Sequence, residues 1–280
     1  MRAWSCALAV PLITFGSSGP ATSHDVPSVP AFAREVPTVE SDPPILAFNG
    51  KDLTGFYAYT RDHGYDDPNR VFTVRDGIIR ISGQEFGGLA TCGNFADYRL
   101  VAEWKWGTQT WPPREKAARD SGILLHCVGP DGAAGGQWMQ SQECQIIEGG
   151  TGDFIMVGGK GGRKSSLTCE VRDGADGQPY YEKGGKSVTR DSGRFNWWGR
   201  DASWKDVLGF RGRDDVERPA GEWNTVEVIC DGSSITNVVN GLVVNVGTRS
   251  SLAEGKIMFQ SEGAEVFFRR IEVRPLKRRR

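Results

Sequence analysis

No stretch of this sequence spaces its apolar residues for a helix of several turns. What recurs is a short run of β-branched and aromatic residues closed by a Gly, Asp or Asn turn, and that pattern confines the chain to an all-β fold. Residues 71–82 are the clearest case, two β-rich runs joined by Asp76-Gly77. Asn240-Gly241, between runs at 235–239 and 242–246, is the strongest hairpin signal. Residues 98–106 alternate, with Tyr98, Leu100, Ala102, Trp104 and Trp106 on one face and Arg99, Glu103 and Lys105 on the other. Further strands are expected at 123–127, 154–157, 166–171, 223–230, 256–261 and 265–273, and Pro112-Pro113 makes 108–119 a loop. In 280 residues this repertoire fits a β-sandwich or jelly roll.

The termini and charge narrow the setting. Arg2, an apolar run over 3–15 and Ala21-Thr22-Ser23 have the order of an export signal, predicting cleavage before His24 and a secreted or periplasmic protein with no membrane span once residues 1–23 are removed. Prolines crowd residues 24–44, which read as an extended linker to a domain over 45–276, and 277–280 form a basic tail. A net charge of −1 implies no nucleic-acid face. Removal of Cys6 leaves five cysteines without zinc spacing, so at least one thiol is unpaired within the chain; Cys127 and Cys144, near the ends of two candidate strands, are read as neighbours. No P-loop, GxSxG elbow or HExxH pair occurs. No resident metal or other cofactor is assigned. The abundant Gly/Asp loops are compatible with a calcium ion, but no consecutive ligand loop stands out.

Chemistry concentrates at 138–154, WMQSQECQIIEGGTGDF. In a regular strand Glu143 and Gln145 share a face and Glu148 points away from them. One bulge after Gln145 would return Glu148 to that face, giving two carboxyl groups able to flank one sugar bond. The competing reading is an edge strand with solvated glutamates. His126, expected to share a face with Leu124, is read as structural more readily than catalytic. Residues 172–221 are rich in Gly and charge yet hold Trp197 and Trp198, and they read as ordered loops over one face whose rings form a sugar platform or a satellite core.

Together, Phe48-Asn49-Gly50-Lys51-Asp52-Leu53, Gly88-Leu89-Ala90-Thr91, Asp120-Ser121-Gly122-Ile123, Glu143-Cys144-Gln145-Ile146-Ile147-Glu148, Gly221-Glu222-Trp223-Asn224, Asn240-Gly241 and Gly255-Lys256-Ile257 carry a resemblance. Over about 45–276 the chain resembles the secreted 3-keto-disaccharide hydrolase domain family. The resemblance implies a concanavalin A-like jelly-roll β-sandwich with long loops over the concave face, a carbohydrate substrate, and release of sugar from glycosides oxidised to a ketone at C3. A carboxylate would take the acidified C2 proton, an acid would protonate the departing C1 oxygen, and water would add across the resulting double bond. The candidates for acid and base are Glu143 and Glu148, with His126 as alternate. Gln145, Asp153, Arg269, Gln260, Trp138, Trp197 and Trp198 are the candidates for substrate contact, with Gln145 and Arg269 as donors to the enolate. The spacing of Glu143, Gln145 and Glu148 is also similar to the Glu-x-Asp-x-x-Glu strand of laminarinase-like retaining glucanases, but Gln145 stands where those enzymes have Asp. Conventional glucanase-type hydrolysis and a non-catalytic glycan-binding module are the alternatives.

Overall fold

A computed structural model describes residues 29–277. The strands in chain order are β1 (Leu46–Ala47), β2 (Phe56–Thr60), β3 (Phe72–Arg75), β4 (Ile78–Ile81), β5 (Gly87–Thr91), β6 (Tyr98–Thr110), β7 (Asp120–Val128), β8 (Gln140–Ile147) and β9 (Phe154–Val157). They continue with β10 (Leu167–Asp173), β11 (Pro179–Tyr181), β12 (Lys186–Arg190), β13 (Arg194–Phe195), β14 (Asn224–Asp231), β15 (Ser234–Val239), β16 (Leu242–Thr248), β17 (Lys256–Ser261) and β18 (Ala264–Pro275). The strands form two antiparallel sheets. The larger runs β11-β10-β16-β15-β14-β6-β18-β4-β3, with β1 on β18 and β12 on β10; the smaller runs β13-β9-β8-β7-β17-β5-β2. This is the all-β jelly-roll sandwich expected from the sequence.

Alternation builds the core between the sheets. From the smaller sheet Ile123, Leu125, Cys144, Ile146, Phe154, Ile257 and Phe259 point inward, and from the larger Leu100, Trp104, Val226, Val228, Phe268 and Ile271 meet them. Phe259 of β17 packs edge-on against Phe268 of β18 at 5.1 Å. The opposite face of the smaller sheet carries Leu124, Met258 and Ala90 in a separate apolar cluster, and next to it the polar residues taken up below.

Three expectations change. Residues 29–44 are no free linker: Ala33 is fully buried, Phe32 stacks edge-on against Tyr181 at 5.6 Å, and the Asp42 and Ile45 amides donate to Pro275 and Val273 carbonyls. The 172–221 stretch holds β11, β12 and β13, whose Gly-broken polar sequences conceal their pairing with β10 and β9. The five described cysteines are all free; Cys127 and Cys144, expected as neighbours, lie in different apolar clusters on opposite faces of the smaller sheet. The export signal and the last three residues of the basic tail lie outside the described residues.

Candidate active site

The outer face of the smaller sheet is set by the complement of the inward residues. β8 directs Glu143 and Gln145 outward, β7 directs Asp120, Gly122 and Leu124, and β17 directs Met258 and Gln260. The register pairs Leu124 with Glu143, Gly122 with Gln145 and Asp120 with Ile147. Glu143 and Gln260 converge over Gly122. A methyl group there would lie 2.3 Å from Glu143 Oε1 and 2.2 Å from Gln260 Oε1, so only glycine leaves both chains their place. Ser121 Oγ donates to the Gln260 carbonyl at 2.9 Å and fixes β7 against β17.

Two further carboxyl groups join this pair. Asp120 opens β7, and Glu262 follows β17 two residues after Gln260, on the same side of the chain. Arg114, from the loop between β6 and β7, lies 3.1 Å from Asp120 Oδ2 and donates to the Ala118 carbonyl and Asp206. Its stem rests on Gly263, where φ is +79° and a Cβ would meet Arg114 Cβ at 3.0 Å. Glycine is required there both by the turn and by the contact.

Burial governs the protonation of the group. Glu143 is pushed up to about 8, first by loss of water and then by the charge of Asp120. Asp120 is raised to about 7 by burial, with Arg114 and Arg194 opposing the rise. Glu262 is raised well above the ordinary carboxyl range by burial and by its two acidic neighbours. Near neutral pH the cluster therefore holds both a protonated carboxyl and a carboxylate, which are the two partners of acid/base catalysis. One Asp120 oxygen and the Gln260 amide oxygen have no hydrogen-bond partner. Among the described residues no three His, Cys, Asp or Glu side chains gather closely enough to hold a metal ion.

Several nominated residues sit elsewhere. The register of β7 and β8 is unbroken from Gln142 to Ile147, so the bulge expected after Gln145 does not form. Glu148 keeps its alternate direction, and Arg119 N–H at 3.0 Å, Arg119 Nη1 at 2.6 Å and Gly209 N–H at 2.7 Å occupy its carboxylate. It fastens the long loop to the sheet edge and does not face Glu143. The bulge lies in β7 between Leu125 and Val128. It places His126 at φ 51° and turns the ring into the core, edge-on to Tyr98 at 5.5 Å, where it donates from Nδ1 to the Leu252 carbonyl at 3.0 Å. Burial lowers His126 to about 4, so the imidazole is neutral and has no access to a substrate.

Trp197 and Trp198 pack in the core, edge-on to each other at 5.1 Å, and offer no free face. Asp153 is fully buried; it accepts the Trp197 amide at 2.8 Å and pairs with Arg194 and Arg200, which makes it an anchor for the loop. Arg269 is on the outer face of the other sheet, paired with Glu103 at 2.6 Å and stacked on Trp223. Gln145 remains beside Glu143 with its Oε1 turned back to the Ile146 amide at 3.0 Å. Trp138 edges the apolar cluster of the same outer face and donates from Nε1 to the Gly87 carbonyl at 3.1 Å. The residues missed from sequence are Asp120, Glu262, Arg114 and Arg194. The i+2 step from Gln260 to Glu262, and from Leu124 through Gly122 to Asp120, was the available signal.

A family model described as 3-keto-alpha-glucoside-1,2-lyase-like domain matches residues 43–274. No curated protein matches the sequence. Among solved structures, this chain is similar to the Bacillus licheniformis β-glucanase at 14% identity, covering 85% of this chain and 100% of that one, with a TM-score of 0.44. It is also similar to porphyranase B of Zobellia galactanivorans, at 9% identity, 91% and 99% coverage and a TM-score of 0.44. A third is the carbohydrate-binding module CBM66 of Bacillus subtilis, at 8% identity, 79% and 95% coverage and a TM-score of 0.43. With the match spanning nearly all of the sandwich and every residue of the carboxyl cluster, the chain belongs to the 3-keto-alpha-glucoside-1,2-lyase-like domain family.

Proposed function

We propose that this glycosyl-hydrolase-like protein cleaves 3-keto-glycosides by elimination across C1–C2 followed by hydration, using the carboxyl cluster of the smaller sheet. The observation that carries the reading is that buried Glu143 and Asp120 share one face, with the Arg114 guanidinium 3.1 Å from Asp120 and burial raising both carboxyl groups. The C3 ketone acidifies the C2 proton. Asp120 takes that proton, the electron pair forms the C1–C2 double bond, and Glu143 protonates the C1 oxygen as its bond to C1 breaks. Negative charge that develops on the ketone oxygen meets Arg194, whose Nη1 is bound to Asp153 and whose remaining nitrogens donate to no protein acceptor. After release of the alcohol the roles are reversed. Glu143 then takes a proton from water as the oxygen adds to C1, and Asp120 returns one to C2. Glu262 is a reserve acid whose charge, if formed, raises both neighbours further.

Conventional two-glutamate hydrolysis is the weaker reading, because Glu148 is tied to Arg119 and Gly209 away from Glu143. Purified protein given a 3-keto-glucoside beside the unoxidised glucoside is expected to release sugar from the first alone. Equal or faster release from the unoxidised sugar rejects the proposal. Export belongs to the same reading. N-terminal sequencing of the secreted or periplasmic protein is expected to begin at His24, and a chain still beginning at Met1 would remove that part.

A further inference from the structure

A hollow of about 470 Å³ opens beside the carboxyl cluster on the same face. Ile155 marks the join. It is paired across the sheet with Glu143 on one side and with Arg194 on the other, and it lines the hollow. Three guanidinium groups border the space, from Arg190, Arg194 and Arg200. Each makes its one hydrogen bond to protein through Nη1: Arg190 to the Arg194 carbonyl at 2.9 Å, Arg194 to Asp153 at 3.2 Å, and Arg200 to the same carboxylate. Their Nε and Nη2 groups donate to no protein acceptor. Arg200 Cζ also lies over the Trp204 ring, 4.4 Å from its centroid, which holds that guanidinium in place.

Carboxylates offset part of this charge: Asp153 pairs with Arg194 and Arg200, and Asp176 and Asp201 also line the hollow, but among the described residues Arg190 pairs with no carboxylate. Asp153 is fully buried beneath it, Asp176 accepts from Tyr180 Oη and the Gln178 amide, and Asp201 accepts from Ser203. Asn196, also on the border and buried, has an Oδ1 without a partner. With Arg194 directed to the ketone oxygen, Arg190 and Arg200 leave the hollow a surplus of unbonded guanidinium N–H donors, and it has room for one saccharide unit.

We propose that this hollow is a second subsite that holds an acidic saccharide unit, bearing a carboxylate or sulfate, joined to the sugar whose C1 bond is cleaved at Glu143. The proposal rests on the sugar-site reading above for its orientation, and the donor surplus sets its chemical class. A bidentate guanidinium–oxyanion contact selects a charged group over a hydroxyl.

The test is direct binding, which needs no turnover. Methyl glucuronoside, glucose 6-sulfate and methyl glucoside are titrated into the full-length protein by calorimetry. The glucuronoside or the sulfate is expected to bind at least about tenfold more tightly than the neutral glucoside, and the tighter of the two names the oxyanion. Arg190→Glu is expected to weaken that binding by about tenfold or more with an unchanged thermal midpoint. Arg190→Gln, gentler on the fold, should give a smaller loss in the same direction. Glu143→Gln is expected to keep the binding while sugar release is lost, so a failed 3-keto reaction with intact glucuronoside binding counts against the catalytic reading alone. Equal binding of acidic and neutral sugars, or unchanged affinity in both Arg190 variants, overturns the proposal.

Discussion

Glu143 is the residue on which pH acts most directly. Its folded pKa of about 8 is above the 4.5 of a free glutamate, so between those values the folded chain keeps a proton that the unfolded chain has released. Stability contributed at this site is therefore full below pH 4.5, falls as pH rises toward 8, and is level above it. Glu143→Gln removes the cost. Thermal or urea unfolding is expected to find the variant more stable than wild type at pH 9, by an amount on the order of a few kcal/mol, and equal to it near pH 4. The same substitution should lower kcat/KM on a 3-keto-glucoside about 10²–10⁴-fold, because the acid that protonates the leaving oxygen is gone. In the wild type, kcat/KM against pH should rise through about 7 as Asp120 ionises and fall through about 8 as Glu143 loses its proton. A profile flat from pH 6 to 9 would remove both assignments.

At the scale of strands, the position of one bulge separates the expected site from the observed one. Glu143 and Gln145 on one face followed from strand period alone, since alternation is a local property. The bulge did not, because nothing local in residues 146–148 distinguishes a regular end from a kinked one. It forms at His126, where Lys256 to Met258 of β17 also slips its register, so the irregularity is shared by three strands and is a tertiary feature. His126→Ala is expected to cost about 2–3 kcal/mol, through the lost bond to Leu252 and the gap left beside Tyr98. The limbs of the pH profile should not move, whereas a catalytic imidazole would change them. Glu148→Ala breaks a buried pair and should cost about 3–5 kcal/mol while loosening the loop at Gly209, read as faster proteolysis within residues 196–223.

For the molecule as a whole, the sandwich was legible because each strand carries its own alternation and its own turn, as at Asp76-Gly77 and Asn240-Gly241. The cluster was only half legible. Asp120 and Glu262 come from segments 142 residues apart, and it takes the pairing of β7 with both β17 and β8 to bring them to the face of Glu143. Residues 29–44 misled because prolines mark extended chain, and extended chain also describes a strap bonded to a sheet edge. A protein beginning at Ile45 loses the buried Ala33 and the Phe32–Tyr181 contact, and chemical unfolding should show a loss of about 2–4 kcal/mol with the carboxyl cluster unaltered. The central claim is that the C2 hydrogen is removed before the C1 bond is lost. It is tested by offering the enzyme a 3-keto-glucoside deuterated at C2 in competition with the unlabelled compound. The account predicts that the deuterated substrate is consumed more slowly and that the unoxidised glucoside is left intact. Equal consumption of the deuterated and unlabelled forms, with release from the unoxidised glucoside at a similar rate, would contradict it.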